Sequence, residues 1–435
     1  YYNEAVMSNL EKTSTAVPVQ IERLPFSQLI RRIGPGIVLT GVVIGPGAIT
    51  TASMLGADYG YSLLWLLIPI AFMGITFMLT TYRISMLTGM PSIEAIRHYY
   101  GKVAAGFVGV ATFLACLFFT MGNISGTGAG MNLVFGIDWK LGALIMIAVM
   151  IYCYFSKGVY SKVEKGITIC IVAMIIAFYI TLVGTGGPDW KASGEGLTHW
   201  IFPAGSLVTA LGFISTNASL TTGIYGTYLG KEKKWKKDDL FNGVMVADTV
   251  AHIIGVLLIS GAIILVGAIV LFPHGISINT PTQLADLLTP SMGRAAKYIM
   301  GVALLGAGFS SLLGNTQRGV VLLNSGFNKS TALESKAVQW GSMVVLVIAG
   351  LICFSFGGSP VQLIYLANVA TAVSTPVAGL FICLLLWRKD INKGYKTPRL
   401  LQICMAVSYL FCLLLTLVAL INTLPKFMSS LSSMF

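Results

Sequence analysis

The sequence predicts an all-α polytopic membrane protein built from two inverted five-helix repeats and an eleventh helix. Three observations lead to this fold class: an apolar composition, eleven long apolar segments, and two interrupted helices at corresponding positions. Of the 435 residues, 55% are hydrophobic and 10% are charged, whereas soluble domains carry about 25% charged residues. This balance excludes a soluble globular enzyme, and the apolar runs exclude a disordered chain.

A membrane-spanning helix needs about 20 mostly apolar residues, and that rule gives eleven segments after a polar tail at 1–32. Segments 1 to 11 cover residues 33–58, 61–88, 104–135, 139–156, 161–184, 205–230, 242–272, 295–324, 337–357, 360–387 and 400–424. The first repeat then spans 33–184 and the second repeat spans 205–387. The segment at 400–424 lies outside both repeats.

The basic residues are distributed unequally between the two sides of these segments. Of the 28 Lys and Arg residues, 23 fall on the side of the N-terminal tail, in loops between apolar segments. The other side carries Lys140, Lys191, Arg294, Lys297 and Lys426. The positive-inside rule places the N-terminus in the cytoplasm and, with eleven spans, the C-terminus outside. The net charge of +12 therefore needs no nucleic-acid partner, although the 231–237 run also suits anionic lipid.

Segment 1 contains an interruption at mid-membrane. Residues 45–48 read Gly-Pro-Gly-Ala, and a proline between glycines removes a backbone donor and relaxes the φ/ψ restraint. We expect the helix to unwind there, with a simple kink as the alternative.

Segment 6 carries a polar run at residues 215–223, Ser-Thr-Asn-Ala-Ser-Leu-Thr-Thr-Gly. Helix packing by small residues is one interpretation. The other is a second break, because lipid would not tolerate so polar a face. Unwound backbone at membrane depth must be buried in protein or line a cavity, so we expect the breaks of segments 1 and 6 to face one shared cavity.

Segments 1 and 6 are the first helices of two successive groups of five. Because five is odd, the second group must enter the membrane in the opposite orientation to the first. Secondary transporters with inverted repeats have this architecture and bind substrate where their discontinuous helices meet. The sequence therefore predicts a transporter and no enzyme activity.

These features are similar to those of the NRAMP family, proton-coupled transporters of manganese and iron with a leucine-transporter-like fold. Residues 45–48 resemble the family's Asp-Pro-Gly-Asn, and residues 307–311 (Ala-Gly-Phe-Ser-Ser) resemble its Ala-Gly-Gln-Ser-Ser. Segment 7 keeps an aspartate at Asp248, and segment 3 keeps Gly126 and Asn132. The resemblance implies the same fold over segments 1 to 11.

The departures from the family pattern fall on the chemistry. The family's metal-binding carboxylate and thioether correspond to Gly45 and Ala218, and its segment 1 asparagine corresponds to Ala48. A segment 10 glutamine that approaches the ion corresponds to Ser374. The positions that the family links to proton movement are neutral as well: Thr120, Asn123, Leu220 and Tyr225.

This set of changes is similar to that of the NRAMP-related magnesium transporters, a bacterial branch of the family. Thioether sulfur suits transition metals and oxygen suits hard Mg²⁺, which usually retains several waters. The resemblance implies that the chain transports Mg²⁺, and Mn²⁺ with weak affinity, in a largely hydrated form across the bacterial inner membrane. The candidate ion-binding residues are Gly45, Ala48, Ser215, Thr216, Asn217, Ala218 and Ser374. We expect the transported ion and the lipid bilayer to be the only partners, with no cofactor, no nucleic acid and no obligate protein partner.

Transport is expected to be passive. A charged residue at the bilayer centre costs about 2.5–3.5 kcal/mol, and an uncoupled carrier has no need of a proton relay. Asp248 lies near the cytoplasmic entry of segment 7, where bonding to backbone or to a basic group is favoured over proton transfer. We expect His252, one turn further on, to be a satisfied polar residue rather than a ligand.

Two other classes of function are alternatives to divalent-cation transport. An ion-coupled transporter of a small organic solute would share the fold and the neutral cavity, with residues 45–48 gripping a substrate carboxylate. An intramembrane enzyme or a receptor is disfavoured, because the sequence offers neither a catalytic pair at depth nor a loop long enough for a signalling domain.

Overall fold

A computed structural model of the chain describes residues 23–155, 159–392, 395 and 398–432, without the side chains of 159–171, 373, 419 and 422–432. Most of the predicted tail at 1–32 lies outside the described residues, as do parts of the basic loops after segments 4 and 10. The end of the tail forms a short helix, Phe26–Arg32, with no buried residue.

Helices occupy all eleven predicted segments. In chain order their bounds are Pro35–Val43 with Pro46–Tyr59, Leu67–Thr88, Ser92–Phe135, Trp139–Phe155, Val159–Gly184, Leu207–Asn217 with Leu220–Glu232, Val244–Val270, Ala296–Gly326, Lys336–Ser355, Pro360–Ala370 with Ser374–Trp387, and Arg399–Ser432. Short helices lie in the loops, at Trp190–Thr198, Pro281–Asp286 and Thr289–Met292.

Most of these helices are long and apolar enough to span a membrane. Within the described residues eight pass this test, and the bent pair in segment 1 makes a ninth span. Segments 4 and 5 add two shorter apolar helices, Trp139–Phe155 and residues 172–184. The predicted polytopic helical architecture is therefore confirmed.

Segment 3 begins earlier than its hydropathy indicates. Its helix starts at Ser92 and continues to Phe135, with a kink at Gly101, whose φ of +88° lies in the left-handed region. Glycine adopts this conformation without a steric penalty. The polar turns before Gly101 therefore form a separate helical arm that a search for apolar residues misses.

Two basic residues assigned to the cytoplasmic side are buried within spanning helices. Arg83 is 6% exposed within Leu67–Thr88, and Arg318 is 1% exposed within Ala296–Gly326. The prediction that the basic residues sit in loops is wrong for both. A hydropathy average near a segment end cannot distinguish an arginine buried against neighbouring helices from one in the following loop.

The two broken segments lie in the protein interior. In segment 6, 89% of the most apolar stretch is buried, whereas the corresponding value for segment 11 is 28%. Segment 8 packs along segment 3, and segment 7 packs against the second half of segment 1. These neighbours shield the interrupted backbone from lipid, as unwound structure at membrane depth requires.

Candidate ion-binding site

Segment 1 is broken at Ile44 and Gly45. Its halves, segment 1a (Pro35–Val43) and segment 1b (Pro46–Tyr59), are inclined at 61° to each other. Gly45 has an extended backbone, with φ −107° and ψ −175°, and proline occupies the first position of segment 1b. A proline there loses no helical hydrogen bond, because that N–H would lack a partner in any case. The predicted unwinding is confirmed.

Several backbone carbonyls lie at this break. Ser311 of segment 8 donates its hydroxyl to the Val42 carbonyl at 3.1 Å, and Asn315 Nδ2 donates to the same oxygen at 3.4 Å. The Gly45 carbonyl accepts a backbone N–H of segment 1b at 3.2 Å, which uses one of its lone pairs. Within the described chain no donor reaches the Ile44 carbonyl.

Segment 6 is broken at Ala218 and Ser219, between segment 6a (Leu207–Asn217) and segment 6b (Leu220–Glu232). Among the described residues, no hydrogen-bond donor reaches the carbonyls of residues 215–218. The C-terminal carbonyls of a helix carry partial negative charge. Segment 6a therefore presents an electronegative end at its break.

The polar side chains of segment 6a are engaged in different ways. Ser215 donates its hydroxyl to the Asn368 carbonyl in segment 10 at 2.9 Å. The Thr216 hydroxyl bonds back to its own helix at 2.6 Å. Asn217 donates to its own helix at 2.9 Å and accepts the hydroxyl of Ser260 at 3.0 Å. Only Ser215 of these three predicted residues directly bridges to segment 10.

Asn368 is a site residue that the sequence interpretation missed. It is 1% exposed, and among the described residues neither polar atom of its side chain has a hydrogen-bond partner. A β-carbon added to Gly47 would lie 2.6 Å from Asn368 Nδ2, so the amide rests against the backbone just after the first break. Its own carbonyl accepts from Ser215, and Asn368 thus connects segments 1 and 6. A lone asparagine in an apolar helix was the available signal.

Ser374, the segment 10 residue expected at the site, has its hydroxyl engaged elsewhere. It lies 3.0 Å from the Thr221 hydroxyl in segment 6b and donates to the Thr371 carbonyl at 3.3 Å. It is fully buried. Its bonds hold the second half of segment 10 against segment 6b, on the far side of that break from segment 6a.

Asn123 in segment 3 completes the polar lining. The residue is 2% exposed, and its Nδ2 has no hydrogen-bond partner in the part of the chain that the structure describes. A β-carbon on Gly45 would lie 2.8 Å from Asn123 Oδ1. Buried polar groups are nearly always hydrogen-bonded, so two unsatisfied amides on either side of one helix break indicate a place built for a polar ligand.

The polar groups at the two helix breaks are uncharged, and most of them offer oxygen atoms as ligands. Gly45 and Ala218, which the sequence resemblance aligns with the family's carboxylate and thioether, carry no metal-binding side chain, and Ala48 and Ala218 are buried at 2% and 4% exposure. Among the described residues no three His, Cys, Asp or Glu side chains converge as they do in a metal centre. Carbonyl, amide and hydroxyl groups are therefore the donors available at the breaks.

Asp248 and His252 lie on segment 7 and are engaged with segment 1a. The Asp248 carboxylate accepts the N–H groups of Gly34 and Gly36 at 2.8 to 3.0 Å and the Tyr82 hydroxyl at 3.1 Å. His252 Nδ1 lies 2.9 Å from the Thr40 hydroxyl. The expected bonding of Asp248 to backbone is confirmed, and His252 is hydrogen-bonded as predicted. The carboxylate caps the N-terminus of segment 1a.

A family model described as natural resistance-associated macrophage protein-like (Nramp) matches residues 36–422 of the chain. Two relatives are both named divalent metal cation transporter MntH. The Deinococcus radiodurans protein is 25% identical over 88% of this chain and 87% of its own length. The Agrobacterium fabrum protein is 24% identical over 85% of this chain and 82% of its own length.

Solved structures share the fold. A crystal structure of the Eremococcus coleocola manganese transporter matches with a TM-score of 0.72 and 16% identity, covering 95% of this chain and 92% of that chain. Mhp1, a nucleobase-cation-symport-1 family transporter, matches with a TM-score of 0.54 and 12% identity, covering 93% and 96%. These likenesses confirm the predicted leucine-transporter-like fold.

Proposed function

The chain belongs to the Nramp family of membrane transporters, and from that premise we propose that it transports divalent cations, with Mg²⁺ as its main substrate and Mn²⁺ as a weakly bound second one. Relatives that match over more than four fifths of the chain are named divalent metal cation transporters. The proposal of Mg²⁺ as the main substrate rests on the chemical groups present at the two helix breaks.

The observation that supports Mg²⁺ is the neutral oxygen lining of the site. Asn123 and Asn368 bring unsatisfied amides to the first break, and the carbonyls of 215–218 lie at the second. Mg²⁺ prefers oxygen ligands, whereas a thioether selects softer transition metals. With Ala218 at the thioether position, the site loses the donor that favours Mn²⁺ and iron over Mg²⁺.

We propose that the ion is bound with most of its water. A bare divalent cation in a buried site needs opposite charge to offset its desolvation, and the lining at the breaks is uncharged. Mg²⁺ dehydrates reluctantly and usually keeps several waters. Amides, hydroxyls and carbonyls can bond to those waters without replacing them, and the short side chains of Ala48 and Ala218 add little bulk beside the breaks.

Proton coupling is not part of the proposal. The Thr120 hydroxyl bonds to the carbonyl of its own helix at 2.8 Å, and Asn123, Leu220 and Tyr225 occupy the other positions linked to proton movement by the family resemblance. Asp248 has its oxygens occupied by backbone donors and Tyr82. We therefore propose a uniporter driven by the ion gradient and membrane potential.

The membrane topology proposed for this carrier follows from its eleven apolar segments and from the unequal distribution of Lys and Arg between the two sides. The N-terminus lies in the cytoplasm, residues 33–184 and 205–387 form the inverted repeats, and the helix at 400–424 is an addition to them. The C-terminus then lies outside the bacterial inner membrane. Cysteine labelling from one side of intact cells, at Arg388→Cys and Lys191→Cys, tests this orientation.

Flux in proteoliposomes tests the function. In vesicles that contain the purified chain and a Mg²⁺-sensitive dye, the dye signal should report Mg²⁺ influx when Mg²⁺ is added outside. Protein-free vesicles should show no influx. In parallel vesicles, the signal of a pH-sensitive dye should stay constant. Acidification that depends on Mg²⁺ influx would exclude the uniporter. Uptake of labelled amino acids or nucleobases without Mg²⁺ uptake would favour an organic-solute carrier of the same fold.

A further inference from the structure

Three side chains form a polar layer over one side of the site. Tyr365 in segment 10 lies 3.5 Å from the Thr209 hydroxyl in segment 6a, and Thr209 also interacts with the Tyr59 hydroxyl at the end of segment 1b. At 1.5 Å per helical residue, Tyr365 lies about 4.5 Å along its helix from Asn368, and Thr209 lies about 9 Å from Ser215. We call these three residues the outer layer.

Asp58 lies beside the outer layer with an unsatisfied carboxylate. Its Oδ1 is buried and has no hydrogen-bond partner within the described chain, although the Ser277 hydroxyl interacts with the carboxylate. No Lys, Arg or His among the described residues is within salt-bridge distance of it. Because segment 1b ends at Tyr59, the carboxylate also sits at the negative end of a helix.

These features each cost free energy. Burial of an unpaired carboxylate oxygen is unfavourable, and an anion in the last turn of a helix is repelled by the helix dipole. A cation at Asp58 would offset both. No basic side chain of the described residues pairs with it, which leaves this role to a cation from solution.

The Ser277 hydroxyl lies beside this carboxylate, and a second free hydroxyl lies near the outer layer. The hydroxyl of Ser206 is fully buried and has no hydrogen-bond partner among the described residues. The preceding residue, Gly205, lies so close that a β-carbon on it would be 3.8 Å from the Tyr59 hydroxyl. Ser277 itself is exposed. The group therefore combines one carboxylate with hydroxyls and remains open to solution.

We propose that Asp58 and the hydroxyls around it form an outer binding site for a hydrated divalent cation, separate from the site at the helix breaks. Mg²⁺ is typically held in proteins by one or two carboxylates while it keeps several waters, which matches a single carboxylate with the Ser277 hydroxyl beside it. This inference rests on the proposed function, because it assigns to the site the ion that the chain carries. Asp58 raises the local concentration of the ion next to the outer layer. The ion then enters when segments 1b, 6a and 10 move apart.

Asp58→Asn tests the site, since it removes the charge and preserves the shape. Electrostatic attraction raises local ion concentration and falls with ionic strength. In proteoliposomes we expect the apparent KM for Mg²⁺ to rise at least about threefold at low salt, with the maximal rate unchanged and with the difference shrinking as salt is added. Asp58→Glu should retain the wild-type KM. Glu195→Gln, an exposed acid in the neighbouring loop helix Trp190–Thr198, is the matched control and should leave KM unchanged.

An unchanged KM for Asp58→Asn in a protein whose wild type transports Mg²⁺ would overturn the outer site and leave the proposed function intact. A wild type that carries no Mg²⁺ would overturn the function first. If Asp58→Asn does not fold, Mn²⁺ binding to the detergent-solubilised wild type decides the matter by electron paramagnetic resonance. Two bound ions per chain support the outer site, and one ion per chain overturns it.

Discussion

Gly47, just after the break of segment 1, is in contact with Asn368 of segment 10. A β-carbon at residue 47 would lie 2.6 Å from Asn368 Nδ2 and closer still to Oδ1. Real β-carbons do not approach nitrogen or oxygen so closely, so glycine at this position allows the segment 10 amide to reach the unwound backbone. The two residues thus define how near segments 1 and 10 come at the proposed site.

Gly47→Ala should therefore impair transport more than folding. The added methyl group must displace the short Asn368 side chain, because the backbone of segment 1b is fixed by its neighbours. We expect Mg²⁺ uptake to fall by about tenfold or more, the order associated with misplacing a binding group. Initial rates of dye-reported uptake in proteoliposomes measure the effect. Gly184→Ala is the matched control, since a β-carbon there meets nothing within 4 Å, and equal losses in both variants would contradict the prediction.

Asn368→Ala separates binding from stability. Neither polar atom of this side chain has a hydrogen-bond partner among the residues that the structure describes, so its removal leaves none of their polar groups unsatisfied. Replacing an unsatisfied buried polar group by an apolar one is close to neutral or stabilising. We expect an unchanged or raised melting temperature together with a loss of Mg²⁺ uptake, measured by thermal unfolding in detergent and by flux.

The comparison variant for Asn368→Ala is Asn217→Ala. Asn217 bonds to both Ser260 and the carbonyl of its own helix, so its truncation should lower stability by about 1–3 kcal/mol. A destabilised Asn368→Ala with normal uptake would show that this amide serves the fold and would remove it from the proposed site.

The sequence predicted the helix breaks because their causes are local. A proline between glycines removes a donor wherever it occurs, and the polar run of segment 6 is visible in one stretch of chain. The same reasoning placed Asp248 in a structural role, since an acid near a span's entry has backbone donors within reach. All eleven segments follow from hydropathy alone.

The side chains that meet at the breaks were harder to predict. Asn368 and Ser374 both lie in segment 10, and their spacing on a helix does not reveal which one faces segment 1. Tertiary packing decides this: Ser374 is held by Thr221, and Asn368 is pressed against Gly47. In the sequence Ser311 stands out only as part of the motif at 307–311. In the structure its hydroxyl donates a hydrogen bond to a carbonyl at the first break.

Asp248→Ala tests the structural role of the segment 7 acid. The carboxylate accepts from two backbone N–H groups and from Tyr82, and its loss would leave buried donors unsatisfied at the start of segment 1a. We expect destabilisation of about 2–4 kcal/mol. Tyr82→Phe removes one of these donors and should cost about 1 kcal/mol. Thermal unfolding measures both variants.

Proton flux distinguishes this role from a catalytic one. Neither the wild type nor Asp248→Asn should acidify vesicles during Mg²⁺ uptake. Acidification by the wild type that disappears in Asp248→Asn would identify the residue as a proton carrier and would contradict the passive mechanism.

Arg318 is a buried cation whose removal should be tolerated. It is 1% exposed, its Nε contacts Cys116 Sγ at 3.3 Å, and its Nη1 lies 3.4 Å from the Thr222 hydroxyl. Its Nη2 has no hydrogen-bond partner among the described residues. Among the described residues no carboxylate forms an ion pair with it. Replacing a buried charge by an apolar residue of similar volume is often neutral or stabilising by about 1–4 kcal/mol. We therefore expect Arg318→Met to melt at the wild-type temperature or above it.

Arg32→Met provides the opposite case. Arg32 pairs at 2.8 Å with Asp239, whose side chain is fully buried, so its removal leaves an uncompensated carboxylate and should lower stability. The two variants delete the same charge and differ in whether an acid is left behind. If Arg318→Met instead unfolds as readily as Arg32→Met, the guanidinium bonds to Cys116 and Thr222 hold segments 3, 6 and 8 together, and the charge stabilises the bundle.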